Sequence, residues 1–472
     1  MPTFLTLYRV GGLLLAVAPL GLSTQAQPSL KVSDNGRYLE TTEGAPFFYL
    51  GDTAWELFHR LDREEADLYL RDRASKGFTV IQAVALAEQD GLNTPNAYGH
   101  RPFIDNDPQR PDVKPGTAND YWDHVDTIVD RAASLGLFIG MLPTWGDKWQ
   151  TAVGGIGPAV FTPENAHTYG AWIAERYRES PIIWILGGDR NIYNDDDRRI
   201  IESMARGIEE GDGGAPLITY HPRGPGRSSD YFHDADWLDF NMFQSSHAAR
   251  DHDNGLYALQ DYALSPPKPT IDGEPRYESI PVGFYLQNVS RHVRFDAYDC
   301  RQAAYWSLLS GACGHTYGNN NVWQMWSPEH TPVIRANVPW NQAIDHPGAF
   351  QMGYLRRLFE ARPFEKLEPN EEFIADGPRS GGSKIRGAIA SDRSFAFVYS
   401  PRGAPFSVDL NACGTHRLRA AWYDPRYGVS YELYTGDNRG VQTFYPPTQG
   451  RGEDWILILD AVENQYPLPG AM

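Results

Sequence analysis

The sequence predicts an α/β protein: an eight-stranded (β/α)8 TIM barrel followed by a small C-terminal all-β sandwich. The chain has 472 residues, which fits one large domain plus one small domain. Between residues 47 and 361, apolar strand-like runs alternate with amphipathic helical stretches, and this alternation indicates successive β–α units. After about residue 363 the helical pattern stops, and only short strand-like segments remain.

The N-terminus has the pattern of a signal peptide. Arg9 precedes an apolar run at 10–22, and small residues stand at Thr24 and Ala26. The run is too short to span a bilayer stably, and the small residues fit cleavage after Ala26. We therefore expect residues 1–26 to be removed and the protein to be exported, to the periplasm or outside the cell, with no membrane attachment after cleavage.

Nine strand-forming segments come next along the chain. The first is a hairpin predicted at 30–45, with Asp34-Asn35-Gly36 as its turn. The other eight are short apolar runs that lack strict alternation, which is typical of barrel strands buried on both faces. These eight predicted strands lie at 47–51, 79–85, 138–143, 182–187, 217–221, 238–243, 269–273 and 314–318.

The helices between these strands are marked by their end signals. The first two end before Gly77 and Gly136, and the third begins at Thr162-Pro163, a Thr N-cap followed by Pro at the first helical position. Eight β–α repeats point to a TIM barrel. The predicted helices lie at 63–76, 119–135, 162–179, 195–210, 253–264, 295–309 and 348–361.

A second domain is predicted at 364–472, after a barrel domain at 27–363. Turn signals such as Asp424-Pro425 and Thr435-Gly436 separate its strands, and the pattern is typical of a compact β-sandwich. The predicted strands of this domain lie at 384–390, 395–400, 406–410, 417–424, 429–434 and 455–460.

Composition and missing motifs exclude several functions. The net charge of −18 makes the chain a poor partner for nucleic acid. No G-x-G-x-x-G or G-x-x-x-x-G-K-[ST] is present, so nucleotide-phosphate binding is not supported. No H-E-x-x-H and no G-x-S-x-G is present, so neither a familiar zinc protease nor a serine hydrolase is supported. We expect a monomer.

Two acidic residues follow barrel strands at the end where TIM barrels carry their active sites. Asp189 follows the fourth strand after Gly187-Gly188, and Glu274 follows the seventh strand after Gly273. Strands four and seven lie across the barrel mouth from each other, so the two carboxyl groups can converge on one bond. The alternative is that Asp189 forms a structural salt bridge with Arg190 or Arg276.

Paired carboxyl groups are the requirement for hydrolysis of a glycosidic bond: one protonates the leaving oxygen, and the other attacks the sugar or activates water. We assign Glu274 as nucleophile and Asp189 as general acid/base. This chemistry needs no metal and no cofactor, and the expected partner is a polysaccharide or oligosaccharide substrate. Glu88 is a third candidate carboxylate.

Other polar and aromatic residues at the strand ends are candidates for substrate binding. A carboxylate or amide can hold sugar hydroxyls, while an aromatic ring stacks on the C–H face of a sugar. For each residue, packing of a loop is the competing explanation. The candidates are Asp52, Trp55, Gln82, Trp145, Arg190, Asn191, His221, Gln244, Arg276, Tyr277, His315, Tyr317 and Trp323, with Arg223, Ser246 and His247 at similar positions.

The motifs in this barrel resemble those of the apiosidase-like catalytic domain, formerly a domain of unknown function. The resemblance covers roughly 30–362 and rests on YLGDTAWEL at 49–57, GFTVIQ at 77–82, GGDRN at 187–191 and DGEPRYE at 272–278. The C-terminal segment WYDPR at 422–426, followed by Gly428, is similar to a domain described as collagen-binding in a collagenase. The family's catalytic Asp and Glu correspond to Asp189 and Glu274.

This resemblance implies an endo-acting apiosidase that cleaves an apiose linkage in the side chains of the pectin rhamnogalacturonan II. Two alternatives stay open. One is a glycosidase for another sugar, such as an arabinofuranosidase or a β-glycanase. The other is a non-catalytic protein that binds carbohydrate or collagen, although a binding module has no need of a carboxyl pair.

Overall fold

The computed structural model describes residues 29–470, so the predicted signal peptide at 1–26 lies outside the described residues. Within 29–470, no helix is both long enough and apolar enough to cross a membrane. The described chain begins with a three-stranded antiparallel sheet in the order β1-β2-β3, where a hairpin was predicted. Its strands are β1 (Leu30–Val32), β2 (Leu39–Thr41) and β3 (Pro46–Phe47).

The eight-stranded parallel barrel that the sequence predicts is present, and the fold class is confirmed. Its strands pair in parallel from β8 through β4 and β12 to β10, and a short antiparallel strand, β9, pairs with β10. The barrel strands are β4 (Tyr49–Thr53), β5 (Val80–Val84), β6 (Phe138–Leu142), β7 (Ile182–Leu186), β8 (Ile218–Tyr220), β10 (Asn241–Gln244), β11 (Thr270–Asp272) and β12 (Gly314–Tyr317), with β9 at Gly226–Arg227.

The seam between β8 and β10 is closed by a few separate hydrogen bonds in place of a ladder. The backbone N–H of Asp239 donates to Ile218 O at 3.0 Å. The Thr219 hydroxyl donates to Phe240 O at 2.6 Å. The Asp239 carboxylate accepts from Ile218 N at 2.7 Å. These bonds satisfy backbone groups that would otherwise be left unpaired at the seam.

The helices surround the barrel, and their caps follow the sequence signals. Asp62 and Glu65 form a reciprocal capping box at the start of α2, and Thr162 caps α4 with Pro163 at its first position. Three four-residue helices, α1, α6 and α9, were not predicted. The helices are α1 (Leu57–Arg60), α2 (Arg63–Lys76), α3 (Tyr121–Ser134), α4 (Pro163–Arg176), α5 (Asp195–Asp212), α6 (Ser229–Phe232), α7 (Gly255–Tyr262), α8 (Ala297–Leu308), α9 (Trp340–Ala343) and α10 (Pro347–Glu360).

The C-terminal domain is a sandwich of two antiparallel sheets, in the orders β13-β15-β16-β21-β18-β19 and β14-β17-β20. The apolar side chains between the two sheets form a core of their own. Strands β13, β14 and β20 were not predicted. The strands are β13 (Leu367–Pro369), β14 (Ile374–Asp376), β15 (Arg386–Ala390), β16 (Phe395–Ser400), β17 (Phe406–Asp409), β18 (Arg417–Asp424), β19 (Val429–Asp437), β20 (Val441–Phe444) and β21 (Trp455–Ala461).

The six-stranded sheet packs against α8 and α10 of the barrel domain, and the two domains share one apolar cluster. Tyr305 of α8 stacks on Tyr399 of β16 with ring centroids 4.9 Å apart. Arg301 makes two hydrogen bonds to the buried carboxylate of Asp454, at 2.6 and 3.0 Å. Because the contact is both apolar and ion-paired, it fixes the sandwich to the side of the barrel.

Candidate active site

A cavity of about 240 Å³ opens at the carboxyl ends of the barrel strands, and all eight strands supply part of its wall, directly or through the loops that follow them. Side chains inside the barrel and several residues of the cavity wall belong to one apolar cluster, so the barrel interior forms the floor of the cavity. The lining residues are Trp55, Glu88, Trp145, Asp189, Arg223, Gly224, Gln244, Ser246, His247, Glu274, Tyr277, Ile280, Phe284, Tyr285, Trp323, Val333 and Ile334.

Asp189 reaches the cavity through a turn of three residues in the left-handed region. The φ angles of Gly187, Gly188 and Asp189 are 97°, 71° and 59°. A Cβ atom on Gly187 would lie 2.4 Å from His221 O, so only glycine fits there. This turn brings the Asp189 side chain, 28% exposed, into the cavity directly after β7.

Glu274 follows β11 and is held by two histidines. His221 Nε2 lies 3.2 Å from Oε2 of Glu274, and His247 Nε2 lies 3.1 Å from Oε1. The backbone N–H of Asp189 donates to His221 Nδ1 at 3.2 Å, so Nδ1 carries no proton and the ring proton lies on Nε2, facing Glu274. His221 therefore links the fourth barrel strand to the carboxylate of the seventh.

The surroundings drive the two carboxyl pKa values apart. Burial, together with the negative charge of Glu274, raises the pKa of Asp189 to about 6. Burial acts in the same direction on Glu274, but hydrogen bonds from His221 and His247 outweigh it and lower its pKa to about 2. At pH 5–6 Asp189 holds a proton while Glu274 is ionised, which is the division of roles between a general acid and a nucleophile.

Aromatic rings form much of the remaining wall. Trp55 and Trp145 lie 5.5 Å apart between ring centroids, and both contact His221. Tyr277 packs against His247 at 4.7 Å, and among residues 29–470 its hydroxyl has no hydrogen-bond partner. Rings of this kind beside unpartnered polar atoms suit a ligand with both C–H faces and hydroxyls.

The structure brings seven of the fifteen sequence-predicted site residues together in this wall. They are Trp55, Trp145, Asp189, Gln244, Glu274, Tyr277 and Trp323. The other eight lie outside the lining, either behind it or on the outer face of the barrel. They are Asp52, Gln82, Arg190, Asn191, His221, Arg276, His315 and Tyr317.

Three of these eight support the cavity from behind. His221 orients Glu274, as described above. Arg190 donates to Asp189 O at 2.8 Å and to Gly154 O at 2.7 Å, and its guanidinium lies 3.6 Å from the Asp189 carboxylate. The side-chain oxygen of Asn191 accepts from Arg223 N at 3.0 Å. These contacts hold the loops after β7 and β8 in place.

The other five were expected to contact the substrate, but their strands or loops point their side chains away from the cavity. Asp52 is fully buried and pairs outward with Arg73 of α2, and Gln82 lies inside the barrel, where it donates to Thr316 at 2.7 Å. The last three contact α8 or neighbouring groups: Arg276 donates to Gln302 at 3.0 Å, His315 contacts Ser307 at 3.0 Å, and Tyr317 donates to Glu278 at 2.6 Å.

Some lining residues were not among the fifteen assigned to the site from the sequence, although Glu88 was noted there as a third candidate carboxylate and Arg223, Ser246 and His247 as strand-end residues. Glu88, Arg223, Ser246 and His247 follow barrel strands, so their positions were visible but their directions were not. Ile280, Phe284, Tyr285, Val333 and Ile334 come from the long loops after β11 and β12. These loops have no period that indicates which side chains turn inward.

Comparison with known proteins gives two family matches and close structural relatives. The family described as "Apiosidase-like, catalytic domain" matches residues 33–366, and the domain described as collagen-binding in a collagenase matches residues 369–460. The resemblance seen in the sequence is confirmed. No curated protein sequence matches the chain.

Two solved structures cover most of the chain. One, described as a glycoside hydrolase, is 34% identical, has a TM-score of 0.85, and covers 93% of this chain and 98% of its own. The other, a glycoside hydrolase family 5 protein from Bacteroides vulgatus ATCC 8482, is 32% identical with the same TM-score and covers 93% of this chain and 94% of its own. The chain therefore belongs to the apiosidase-like family of glycoside hydrolases.

Proposed function

We propose that this protein is an exported glycosidase that cleaves an apiose linkage in the side chains of rhamnogalacturonan II, with Glu274 as nucleophile and Asp189 as general acid/base. The observation that carries the two-carboxylate chemistry is that Asp189 and Glu274, from the ends of β7 and β11, line the same cavity. Their surroundings raise the pKa of Asp189 and lower that of Glu274, which fits an acid and a nucleophile. The family match supports apiose as the sugar.

The proposed mechanism uses these protonation states and takes Glu274 as the nucleophile. The Glu274 carboxylate attacks the anomeric carbon while Asp189 transfers its proton to the leaving oxygen, which gives a glycosyl–enzyme ester and a free hydroxyl on the polymer. Asp189, now ionised, takes a proton from water, and the resulting hydroxide displaces Glu274 from the sugar. Both carboxyl groups return to their initial states, and the configuration at the anomeric carbon is retained.

The substrate is tested by incubating rhamnogalacturonan II with the wild type, Asp189→Asn and Glu274→Gln, and analysing the released oligosaccharides. Loss of general acid catalysis costs about 10²–10⁴-fold, so both variants are expected to lose at least this much while keeping the wild-type circular dichroism spectrum. Exposed Glu372→Gln, in the C-terminal domain, is the matched control and keeps full activity.

Parallel digests of arabinan and β-glycans test the other sugars. If the protein cleaves one of these glycans and not rhamnogalacturonan II, the proposed substrate is rejected but the two-carboxylate mechanism still stands. If the wild type and the variants bind a glycan or collagen but cleave no glycan, the proposal that the protein is an enzyme is rejected.

The roles of the two carboxyl groups are separated by adding azide to Asp189→Ala and Glu274→Ala with an aryl glycoside of the cleaved sugar. Azide that replaces the nucleophile gives the glycosyl azide of inverted configuration, whereas azide that attacks the ester in the acid/base variant gives the retained one. We expect inversion for Glu274→Ala and retention for Asp189→Ala. The opposite pattern exchanges the assignments.

Export, location in the periplasm or outside the cell, and a monomeric state are also part of the proposal. The leader at 1–26 supports export. Sequencing of the mature N-terminus is expected to begin at Gln27, and light scattering is expected to give the mass of one chain. A mature protein that still begins at Met1 contradicts the export proposal.

A further inference from the structure

Glu88 is a third carboxyl in the cavity wall, alongside Asp189 and Glu274, and the mechanism above does not use it. It follows β5 after three buried residues, 85–87, and its side chain is half-buried. Within residues 29–470, its carboxyl group makes no hydrogen bond and no ion pair, unlike Glu274. A carboxyl that is left unpaired at the edge of a cavity is available to a ligand.

Negative charges act on Glu88 from several sides of the cavity. Burial, followed by the charges of Glu56, Asp189, Asp147 and Glu274, raises its pKa to about 8. The cations beside these carboxylates are paired with them: Arg60 with Glu56 at 3.7 Å, and Lys148 with Asp147 at 2.7 Å. Burial and these like charges therefore favour the protonated, neutral form of Glu88.

A neutral carboxylic acid has one O–H donor and one C=O acceptor side by side, a pattern that matches two neighbouring hydroxyls of a sugar. The same cavity offers the side-chain oxygen of Gln244, a residue that is 95% buried, as an acceptor with no partner in the part of the chain that the structure describes. The Trp55 and Trp145 rings lie in the same wall and can stack on the sugar face between these polar groups.

We propose that Glu88 is a substrate-holding residue: its unpaired carboxyl group, in the same cavity wall as Asp189 and Glu274, forms hydrogen bonds with neighbouring hydroxyls of the sugar bound between those two residues. This inference rests on the proposed function. It gives Glu88 a role in affinity, and it assigns no proton transfer to this residue.

Kinetics of Glu88→Gln and Glu88→Ala on rhamnogalacturonan II test the role. Glutamine keeps a donor and an acceptor, so kcat/KM at pH 6 stays within about threefold of the wild type, whereas alanine raises KM about tenfold or more with a smaller change in kcat. The ratio of Glu88→Gln activity to wild-type activity rises above pH 8, by up to about tenfold per pH unit, because only the wild type loses its donor.

Two results overturn the proposal. If Glu88→Ala has the same kcat and KM as the wild type at pH 6, Glu88 does not contact the sugar. Glu88→Gln that loses kcat by orders of magnitude, while Asp189→Asn keeps it, makes Glu88 the general acid. Glu372→Gln is the control for a neutralised glutamate outside the cavity.

A binding experiment separates failure of this inference from failure of the proposed function. Calorimetric titration of rhamnogalacturonan II side-chain oligosaccharides into Glu274→Gln, Glu274→Gln/Glu88→Gln and Glu274→Gln/Glu88→Ala needs no turnover. Weaker binding for the alanine variant alone supports the role of Glu88 even if the wild type cleaves nothing. Equal affinity of all three, or equal loss in both double variants, overturns it.

Discussion

Asp189 and Glu274 have the same functional group, and their neighbours decide which of them holds the proton. Glu274 is hydrogen-bonded to His247 at 3.1 Å and has His221 Nε2 at 3.2 Å, while Asp189 has a guanidinium at 3.6 Å and a nearby carboxylate of its own sign. Hydrogen bonds to the charged form lower a carboxyl pKa, and a nearby like charge raises it. The division of roles therefore depends on His221 and His247 as much as on the acids.

Removal of one histidine donor tests this dependence. In His247→Ala, Glu274 loses the hydrogen bond at Oε1, so the pKa of Glu274 rises. One hydrogen bond of ~1–1.5 kcal/mol corresponds to about one pKa unit. The acidic limb of the kcat/KM profile is therefore expected to move to higher pH by about one unit. His247→Gln keeps an N–H donor and shifts the limb less. The pH profile of kcat/KM is the measurement, and an unchanged acidic limb in His247→Ala contradicts the account.

The turn that carries Asp189 gives a second prediction at this scale. Gly187→Ala combines a strained φ with a Cβ 2.4 Å from His221 O, so we expect a destabilisation of about 3 kcal/mol or more, with most of the activity lost. Gly44→Ala is the matched control, because its φ of 87° is also positive but nothing lies within 4 Å of its Cβ. Urea unfolding of both variants separates steric clash from backbone strain, and equal costs would show that the close approach is unimportant.

The sequence predicts Asp189 and Glu274 as an active-site pair because each follows an apolar strand and a glycine, a local signal that needs no register. To predict which way the other strand-end side chains point, the register of each strand must also be known. Asp52 is the fourth residue of β4 and points outward to Arg73, but a strand buried on both faces has no polar alternation to indicate this. The loop residues Phe284 and Tyr285 carry no periodic signal at all.

At the scale of elements, the prediction succeeds where an element is long and its ends carry capping signals. Helix α2 was predicted at 63–76 and is observed at Arg63–Lys76, because capping signals fix both of its ends. Strand β14 has three residues and a register shift, and α6 has four residues, so neither is long enough to show a period. The seam between β8 and β10 depends on Asp239 and Thr219, which no pattern of apolar residues marks.

The contact between α8 and the C-terminal domain depends on the buried pair Arg301–Asp454. Asp454→Ala leaves the Arg301 guanidinium buried without its carboxylate, so the expected loss of stability is about 3–5 kcal/mol. Arg301→Met/Asp454→Leu removes both charges and is expected to cost less than the single variant. Denaturant unfolding checks the order.

The exposed pair Lys366–Asp392 is the control for this element. Its N–O distance is 2.7 Å, but both side chains are about 40% exposed, so Asp392→Ala costs less than about 1 kcal/mol. If Arg301→Met/Asp454→Leu is as unstable as Asp454→Ala, the shape of the contact, and not the unpaired charge of Arg301, sets the loss of stability.

For the whole molecule, the two domains act as one unit because the six-stranded sheet completes the apolar cluster around α8 and α10. The sequence predicts both domains but not this contact, since α8 carries Tyr305 and Arg301 outward from the barrel in a pattern that also fits a solvent-facing helix. Other paired groups at the contact include Arg362 with Asp460 and Arg386 with Asp253. We infer that barrel and sandwich unfold together.

The buried titratable groups predict how the stability of the whole protein depends on pH. Burial raises the pKa of Glu278 to about 7 and that of Glu88 to about 8, against about 4.3 in an unfolded chain. The folded state therefore holds more protons than the unfolded state above pH 5, and each such group removes up to ~1.4 kcal/mol per pH unit until the pH passes its folded pKa. Burial lowers the pKa of His124 to about 4 and that of His315 to about 3, which has the opposite effect below pH 6.5.

Burial also raises the pKa values of Asp189, Asp239 and Asp272 to about 6, so five raised carboxyl groups outweigh the two histidines. The thermal midpoint is therefore expected to fall from about pH 5 to about pH 8. Glu278→Gln removes one of the protons responsible and keeps an acceptor for Tyr317 and Gly348, so the fall above pH 6.5 becomes shallower in this variant. Differential scanning calorimetry from pH 5 to 8.5 is the measurement, with Glu372→Gln as the exposed control. A midpoint that rises between pH 6.5 and 8 would mean that these buried carboxyl groups are ionised in the folded protein. That result would also contradict a protonated Glu88.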